Sequence, residues 1–529
     1  MGGRVERVAR SYDSEAITRT ADHDQLQLEG RALKSATWRV FAFHLLRVAL
    51  FFGAAYNYYS HNDGTAWLLG ILFVYSFLDR EFFLKPNLMN AYLAFTVIYY
   101  YSRWVMGWGN PYTTIYGQDA PGWVKVIKDI VWIGFVGVFA FRALTKPRYD
   151  RNMPLRLTAR GLILVLLTLV YLVLPTFALI YARGRVFDIV LTAMRYPLEY
   201  VPFVFLLPFI LRGESSIRYL RTFIPLVSLS LIFLGIEMFS GRRTGFGYGG
   251  LYTRYGSIIG SPNDYGVFMM LTIATVLAFL AERAIRWSPK VVAFLILCLC
   301  ALAATISLSA SFAMVFTTMN LVLFTKDRVK SAMTVIAVAV LVAALYYIFP
   351  DVGVAKFLVI RMERLAAFRE ESATSHYTSV VLAEDAIKRF EPAEYVFGTF
   401  VPRNQALAPE TYYLRTFYLR GGASLVILLA IIGLSLFESH HRYRAVKGDR
   451  ERRGLFLATF LGVAGIAFAC LFIPYLDSFP SNFYFWFLVA IIWCEPMSER
   501  EIAAMHAARP QQQVVGGKTR KLAPGLARL

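Results

Sequence analysis

Apolar runs, several of which reach or exceed about twenty residues, recur along the chain, and they leave it few folds to adopt. Roughly 20 apolar residues make a helix that crosses a bilayer. In hydrocarbon every backbone amide needs a partner within the protein, so spans are helices or parts of a closed barrel. The runs lie near 40–59, 65–78, 88–108, 126–145, 161–182, 198–211, 219–239, 264–281, 291–308, 311–325, 332–349, 413–437, 454–475 and 481–494. They predict an all-α fold: a polytopic transmembrane helical bundle of about 14 spans (12 to 14) with one large periplasmic helical loop.

Charge sets the orientation. Of 529 residues only 17% are charged, against about a quarter in soluble domains. The net charge is +20, and the basic residues gather in alternate loops. Arg142 to Arg160 mark one, Arg283, Arg286 and Lys290 a second, Lys326 to Lys330 a third, and Arg442 to Arg453 a fourth. That is the positive-inside pattern, so the excess reports topology and no nucleic-acid partner is expected. Residues 1–38 lack the apolar core of a signal peptide and read as a cytoplasmic N-terminal segment. The transmembrane region then covers 39–349, the large periplasmic loop 350–412, the C-terminal spans 413–497 and a basic cytoplasmic tail 498–529. Within the loop, 355–370 and 376–390 carry helical apolar spacing and are expected to lie over the membrane surface. Both termini fall inside, and membrane lipids are the first partners implied.

The most informative segment is Arg254-Tyr-Gly-Ser-Ile-Ile-Gly-Ser-Pro262-Asn263-Asp264-Tyr-Gly266, a basic residue, glycines and a Pro-Asn turn between two spans. Arginines also stand on the outer side at Arg183, Arg185, Arg195, Arg242, Arg243, Arg361, Arg364, Arg415 and Arg420. Singly each reads as a headgroup anchor. As a set they suit a phosphate- or pyrophosphate-bearing lipid, because guanidinium forks bind phosphate oxygens in pairs and stay charged near lipid.

Other chemistries find less support. Only His61 and His376 face outward, with no Asp-x-Asp pair, so no metal ligand set is expected. No phosphate-binding loop, dinucleotide fingerprint or nucleophile elbow is present, and no cofactor is expected. The cysteines read as packing residues. Among the acidic residues of the long loop, Glu410 stands apart because it immediately precedes a span. Partial desolvation there is expected to raise its pKa towards the range of a general base. Arg103 and Glu237 sit near outer span ends, where snorkelling suffices, and Arg47 is expected to pair within the bundle. Ser307-Leu-Ser-Ala-Ser311 reads as a site of close helix packing.

Taken in order, these residues resemble the bacterial O-antigen polymerase and O-antigen ligase family. Arg254 stands eight positions before Pro262-Asn263; the long loop ends in Glu410-Thr411-Tyr-Tyr413-Leu414, followed by Gly421-Gly422; Phe397-Gly398 resembles the glycine after the loop's second helix. The resemblance covers roughly 220–437. Glu410 occupies the place where ligases carry a histidine, which is closer to the polymerase branch. His376 and Tyr377 stand near the family's second arginine, with Arg361 and Arg364 upstream, and Ser309-Ala310-Ser311-Phe312 replaces a Ser-Arg pair.

The resemblance implies a glycosyltransferase at the periplasmic face of the bacterial inner membrane. An undecaprenyl-pyrophosphate-linked saccharide would be the donor and a lipid-linked repeat unit the acceptor. Arg254 and Glu410 would be the catalytic pair, the first on the pyrophosphate and the second as base. Arg242, Arg243, Asn263, Arg361, Arg364, His376, Tyr377, Tyr413 and Arg415 would bind substrate. The product would be O-antigen, capsule or exopolysaccharide, made without a metal and with inversion; a chain-length regulator and a flippase are the protein partners implied. The alternatives are a ligase passing glycan to lipid A core or protein, and a transporter of lipid-linked sugars.

Overall fold

A computed structural model describes residues 159–177, 252–259, 261–348, 371–399, 411–477 and 481–494, with shorter stretches between 42 and 72, 133 and 137, 227 and 238, at 247–248 and between 514 and 519. The chain divides into two compact units, 1–79 and 80–529. In the first, the described residues between 42 and 57 are helical, and Asn57 donates to the Gly53 carbonyl (2.8 Å).

The second unit is built from helices. They are α1 (Ala159–Phe177), α2 (Pro262–Ala281), α3 (Pro289–Ala304), α4 (Leu308–Phe324), α5 (Arg328–Ile348), α6 (Glu371–Ile387), α7 (Pro392–Phe397), α8 (Tyr412–Ala445), α9 (Arg450–Ala469) and α10 (Ser481–Cys494). Among the described residues the β structure beside them is limited to two-residue pairings, such as Gly247–Tyr248 against Tyr252–Thr253. Among the described residues three helices, α2, α8 and α9, are long and apolar enough to cross a membrane. The bundle is apolar outside as well as inside. Leu162, Leu166 and Val173 on α1, Val315 and Met319 on α4, and Val329, Ile336 and Val340 on α5 are all exposed. Water would penalise such surfaces and lipid would not.

Local chemistry sets the helix starts. Ser261, Ser288 and Ser307 cap α2, α3 and α4 by accepting the N–H of Asp264, Val291 and Ala310, and proline opens α2 and α3. Pro262-Asn263 is therefore not a connecting turn but the first turn of α2: Ser261 takes up an amide that would otherwise be orphaned, so the helix starts two residues before the expected span. The loop helix expected over 376–390 spans Glu371–Ile387. On its exposed face Lys388 bridges to Glu384 and Asp385 (both 3.2 Å), and those carboxylates raise the ammonium above its usual pKa. Residues 355–370 lie outside the described residues.

At the centre α9 packs on α2, α4 and α10. A side chain at Gly465 would meet Thr317 Oγ1 at 2.6 Å and Met270 Sδ at 2.9 Å, and one at Gly462 would meet Leu488 at 2.6 Å. Bare backbone at these two positions lets the helices approach closely, as small residues do in membrane bundles.

The two ends of the bundle differ. At one, Glu282 at the close of α2 pairs with Arg453 of α9 and accepts the Tyr443 hydroxyl of α8 (2.7 Å). Nearby, Glu438 holds Arg442 (2.9 Å) and Arg160 of α1 (3.2 Å). The other end carries Arg254.

Candidate functional site

Helix α3 ends with carbonyls that have no partner in the helix. The segment before α2 supplies two: the Arg254 Nε donates to the Thr305 carbonyl (3.0 Å) and the Tyr255 N–H to the Ala304 carbonyl (3.2 Å). A guanidinium at a helix C-terminus is also favoured by the helix dipole. Arg254 is only 6% exposed, and its Nη2 donates to Asn263 Oδ1 at 2.5 Å. The same Asn263 oxygen accepts Ser307 Oγ (3.0 Å). From there hydroxyls continue to Ser309 (3.2 Å) and to Tyr475 (2.5 Å). One chain of polar contacts thus joins the starts of α2 and α4 to the connection between α9 and α10.

The backbone around this chain is held in uncommon conformations. Ser257 has φ 52° and Ile306 φ 48°, a region that costs a β-branched residue about 1–2 kcal/mol. Ser257 is secured by its N–H to the Glu237 carboxylate (3.0 Å) and its hydroxyl to the Ser230 carbonyl (2.6 Å). Glu237 is buried. It does not snorkel; the amide of the Arg254 segment gives it a partner inside.

A second polar group lies across the 3₁₀ turn Tyr475–Asp477. Asp477 pairs through Oδ2 with Arg415 Nε (3.1 Å) and through Oδ1 with Arg420 Nη2 (3.6 Å). Arg420 also donates to the Tyr171 hydroxyl of α1 (2.5 Å), which contacts the Tyr412 hydroxyl (3.3 Å). The Tyr412 N–H reaches the Cys470 carbonyl (3.0 Å), and Tyr413 donates its hydroxyl to the Ala467 carbonyl (2.7 Å). The start of α8 is thereby tied to the end of α9. Arg254, Arg415 and Arg420 sit at this end of the unit with Glu237, Asp264 and Asp477, and of the three carboxylates Asp477 is the one paired with arginines by the contacts above.

Arg420 owes its place to a break in α8. Gly421 has φ 79° and ψ 171° inside an otherwise helical run. The Tyr418 carbonyl, which the Gly422 N–H would take in a continuous helix, accepts instead the N–H (3.0 Å) and hydroxyl (3.1 Å) of Thr399. Helix α7 docks on the break, with Phe390 stacked on Phe417 and packed against Tyr418.

Of the residues singled out in the sequence, the structure brings Arg254 and Asn263 into direct contact and puts Tyr413 and Arg415 at the same end. Tyr377 is on α6, 72% exposed. Glu410, Arg242, Arg243, Arg361 and Arg364 lie outside the described residues, and of His376 only its place in α6 is described. Among the described residues no group of His, Cys, Asp or Glu side chains is arranged to hold a metal ion.

Sequence reasoning passed over Ser307, Ser309, Tyr475, Asp477 and Tyr171. The serines looked like packing residues, yet their hydroxyls carry the polar chain. Asp477 had one readable signal, a lone carboxylate between two spans. Compared with known proteins, the chain matches no protein-family model and no curated protein.

Proposed function

We propose that this protein is a polysaccharide polymerase of the bacterial inner membrane, extending a carrier-linked glycan at the periplasmic face. The observation that carries the reading is the buried Arg254 guanidinium, held by Thr305 and Asn263 at the end where Arg415 and Arg420 also gather. Ionisable groups at this depth are costly and mark functional sites. A guanidinium held through Nε and one Nη has a fixed orientation, as recognition of a phosphate oxygen requires.

In the reaction, the acceptor hydroxyl oxygen attacks the anomeric carbon of the donor sugar. The bond from that carbon to the pyrophosphate oxygen breaks, and its electron pair leaves with undecaprenyl pyrophosphate. Glu410 takes the proton of the attacking hydroxyl, and Arg254 stabilises charge growing on the leaving oxygen. Attack from the opposite face inverts the anomeric centre. Both termini and the Glu282 end face the cytoplasm, and the chain crosses the membrane about 14 times.

The test is extension of undecaprenyl-pyrophosphate-linked repeat units from the host by the purified protein, with products separated by length. A ladder is expected, falling about 10²–10³-fold in Arg254→Ala, the scale of losing one stabilising donor group, and lost in Glu410→Gln. Failure of the folded wild-type protein to extend an authentic substrate would sink the polymerase reading. A ladder that survives Glu410→Gln removes Glu410 as the base.

A further inference from the structure

The connection between α4 and α5 reaches the close of α8 through Lys326. Its Nζ donates to the carbonyls of Arg444 (2.9 Å) and Val446 (3.4 Å), and its backbone N–H to the Tyr443 hydroxyl (2.8 Å). Carbonyls that end a helix have no partner within it, and a cation placed there suits both them and the helix dipole. The buried Tyr443 ring lies between two cations, Lys326 Nζ and the Arg453 guanidinium, each 5.8 Å from its centre. Partial burial, and then the charges of Arg453, Arg444 and Lys447, pull the Lys326 ammonium below its ordinary pKa, against the influence of Glu282. Capping accounts for Lys326. It does not account for Arg444 and Lys447, both exposed beside it.

Positive charge at this place exceeds the carboxylates that answer it. Glu282 is committed with both oxygens, Oε2 to Arg453 and Oε1 to the Tyr443 hydroxyl, and Asp449 accepts the Arg452 N–H at the start of α9. Among the described residues Lys326 Nζ donates to carbonyls and to no carboxylate. Apolar surface adjoins the cations. Val315, Met319 and Leu323 follow at four-residue spacing along α4, which puts them on one face, and all three are more than half exposed. Leu323 stands three residues before Lys326, so a charged head and apolar tails would both find their match here.

We infer that Lys326, Arg444 and Lys447 bind the headgroup of a two-phosphate anionic lipid of the cardiolipin type, whose acyl chains lie along Val315, Met319 and Leu323. Charge complementarity chooses this occupant. A single phosphodiester would answer one of the three cations, whereas two phosphates on one headgroup answer two of them. A lipid also covers the apolar face, which a free phosphate leaves bare. Bound there, it ties the α4–α5 connection to the one between α8 and α9. The inference takes from the reading above only that the Glu282 end faces the cytoplasmic leaflet, and nothing from the reaction.

The probe is cardiolipin added to delipidated full-length protein in detergent and counted by native mass spectrometry, with phosphatidylglycerol and inorganic phosphate as competitors. One cardiolipin is expected to stay bound against an excess of either. Arg444→Gln combined with Lys447→Gln weakens it about thirtyfold, roughly fivefold for each cation. Both side chains are exposed, so this double variant carries the test if Lys326→Gln does not fold. Lys388→Gln, in the exposed ion pairs beside α6, leaves binding unchanged. Equal binding of phosphatidylglycerol, displacement by inorganic phosphate, wild-type affinity in the double variant, or an equal loss in Lys388→Gln each overturns the inference. Glycan extension plays no part in the readout, so this inference and the polymerase reading fail separately.

Discussion

Gly398 and Gly421 lie back to back, each bare because the other's strand of backbone passes where a side chain would stand. A Cβ on Gly398 would meet Arg420 N and the Leu419 carbonyl at 2.4 Å, and one on Gly421 would meet the Val396 carbonyl oxygen at 2.1 Å. Both have φ 79°, with ψ near 180°, a region essentially confined to glycine. The pair joins the end of the loop to the break in α8 and so sets where Arg420 points.

Gly398→Ala and Gly421→Ala should each destabilise the protein by more than about 2 kcal/mol, since backbone strain of about 1–3 kcal/mol adds to contact with rigid backbone. Gly433→Ala is the contrast: nothing lies within 4 Å of its missing side chain, and alanine in a helix interior gains about 0.5–1 kcal/mol. Thermal unfolding in detergent separates the three. Equal stability of Gly421→Ala and wild type would contradict the docking of α7 on α8.

Arg254→Lys should keep the charge and lose the fork. A lysine nitrogen is a single point and does not reproduce the separate Nε and Nη2 bonds to Thr305 and Asn263. Extension is expected to fall about as far as in Arg254→Ala, within tenfold. A lysine variant near wild-type rate would mean that charge alone suffices.

Tyr475→Phe removes one end of the hydroxyl chain and leaves the ring packed. The cost in stability should be about 0.5–1.5 kcal/mol, one hydrogen bond, because Ser309 retains Ser307. The extension rate is expected to drop by more than that cost explains if the chain positions Asn263. A rate unchanged within twofold would reduce the chain to scaffolding.

Glu282→Ala probes the opposite end. It removes the partner of Arg453 and the acceptor of the Tyr443 hydroxyl. Since Arg453 is part-exposed, the cost should fall below that of breaking a fully buried pair, about 3–5 kcal/mol. Carrier affinity should remain within twofold of wild type, because the arginine groups lie at the other end. A shift in affinity without loss of stability would place the substrate contact at the wrong end.

Much of the helical scaffold could be read directly. Expected spans at 264–281 and 481–494 became Pro262–Ala281 and Ser481–Cys494, since length and hydropathy are local properties. The expected span at 454–475 ends as a helix at Ala469. Its last residues turn to bring Tyr475 and Asp477 to two polar groups, which no hydropathy pattern distinguishes from a continuing apolar run.

By itself the sequence determined that the chain forms long apolar helices, that positive charge gathers in a few short segments between apolar runs, and that Arg254 precedes Pro262-Asn263 at a spacing close enough for contact. Only the tertiary structure decided which polar residues act together. Arg254 meets Thr305 51 positions on, Ser309 meets Tyr475 across 166, and Arg420 meets Tyr171 across 249. Serine, tyrosine and single aspartate residues carry no period that marks them in advance. Their partners are set by which helix ends the packing of α2, α4, α8 and α9 brings side by side.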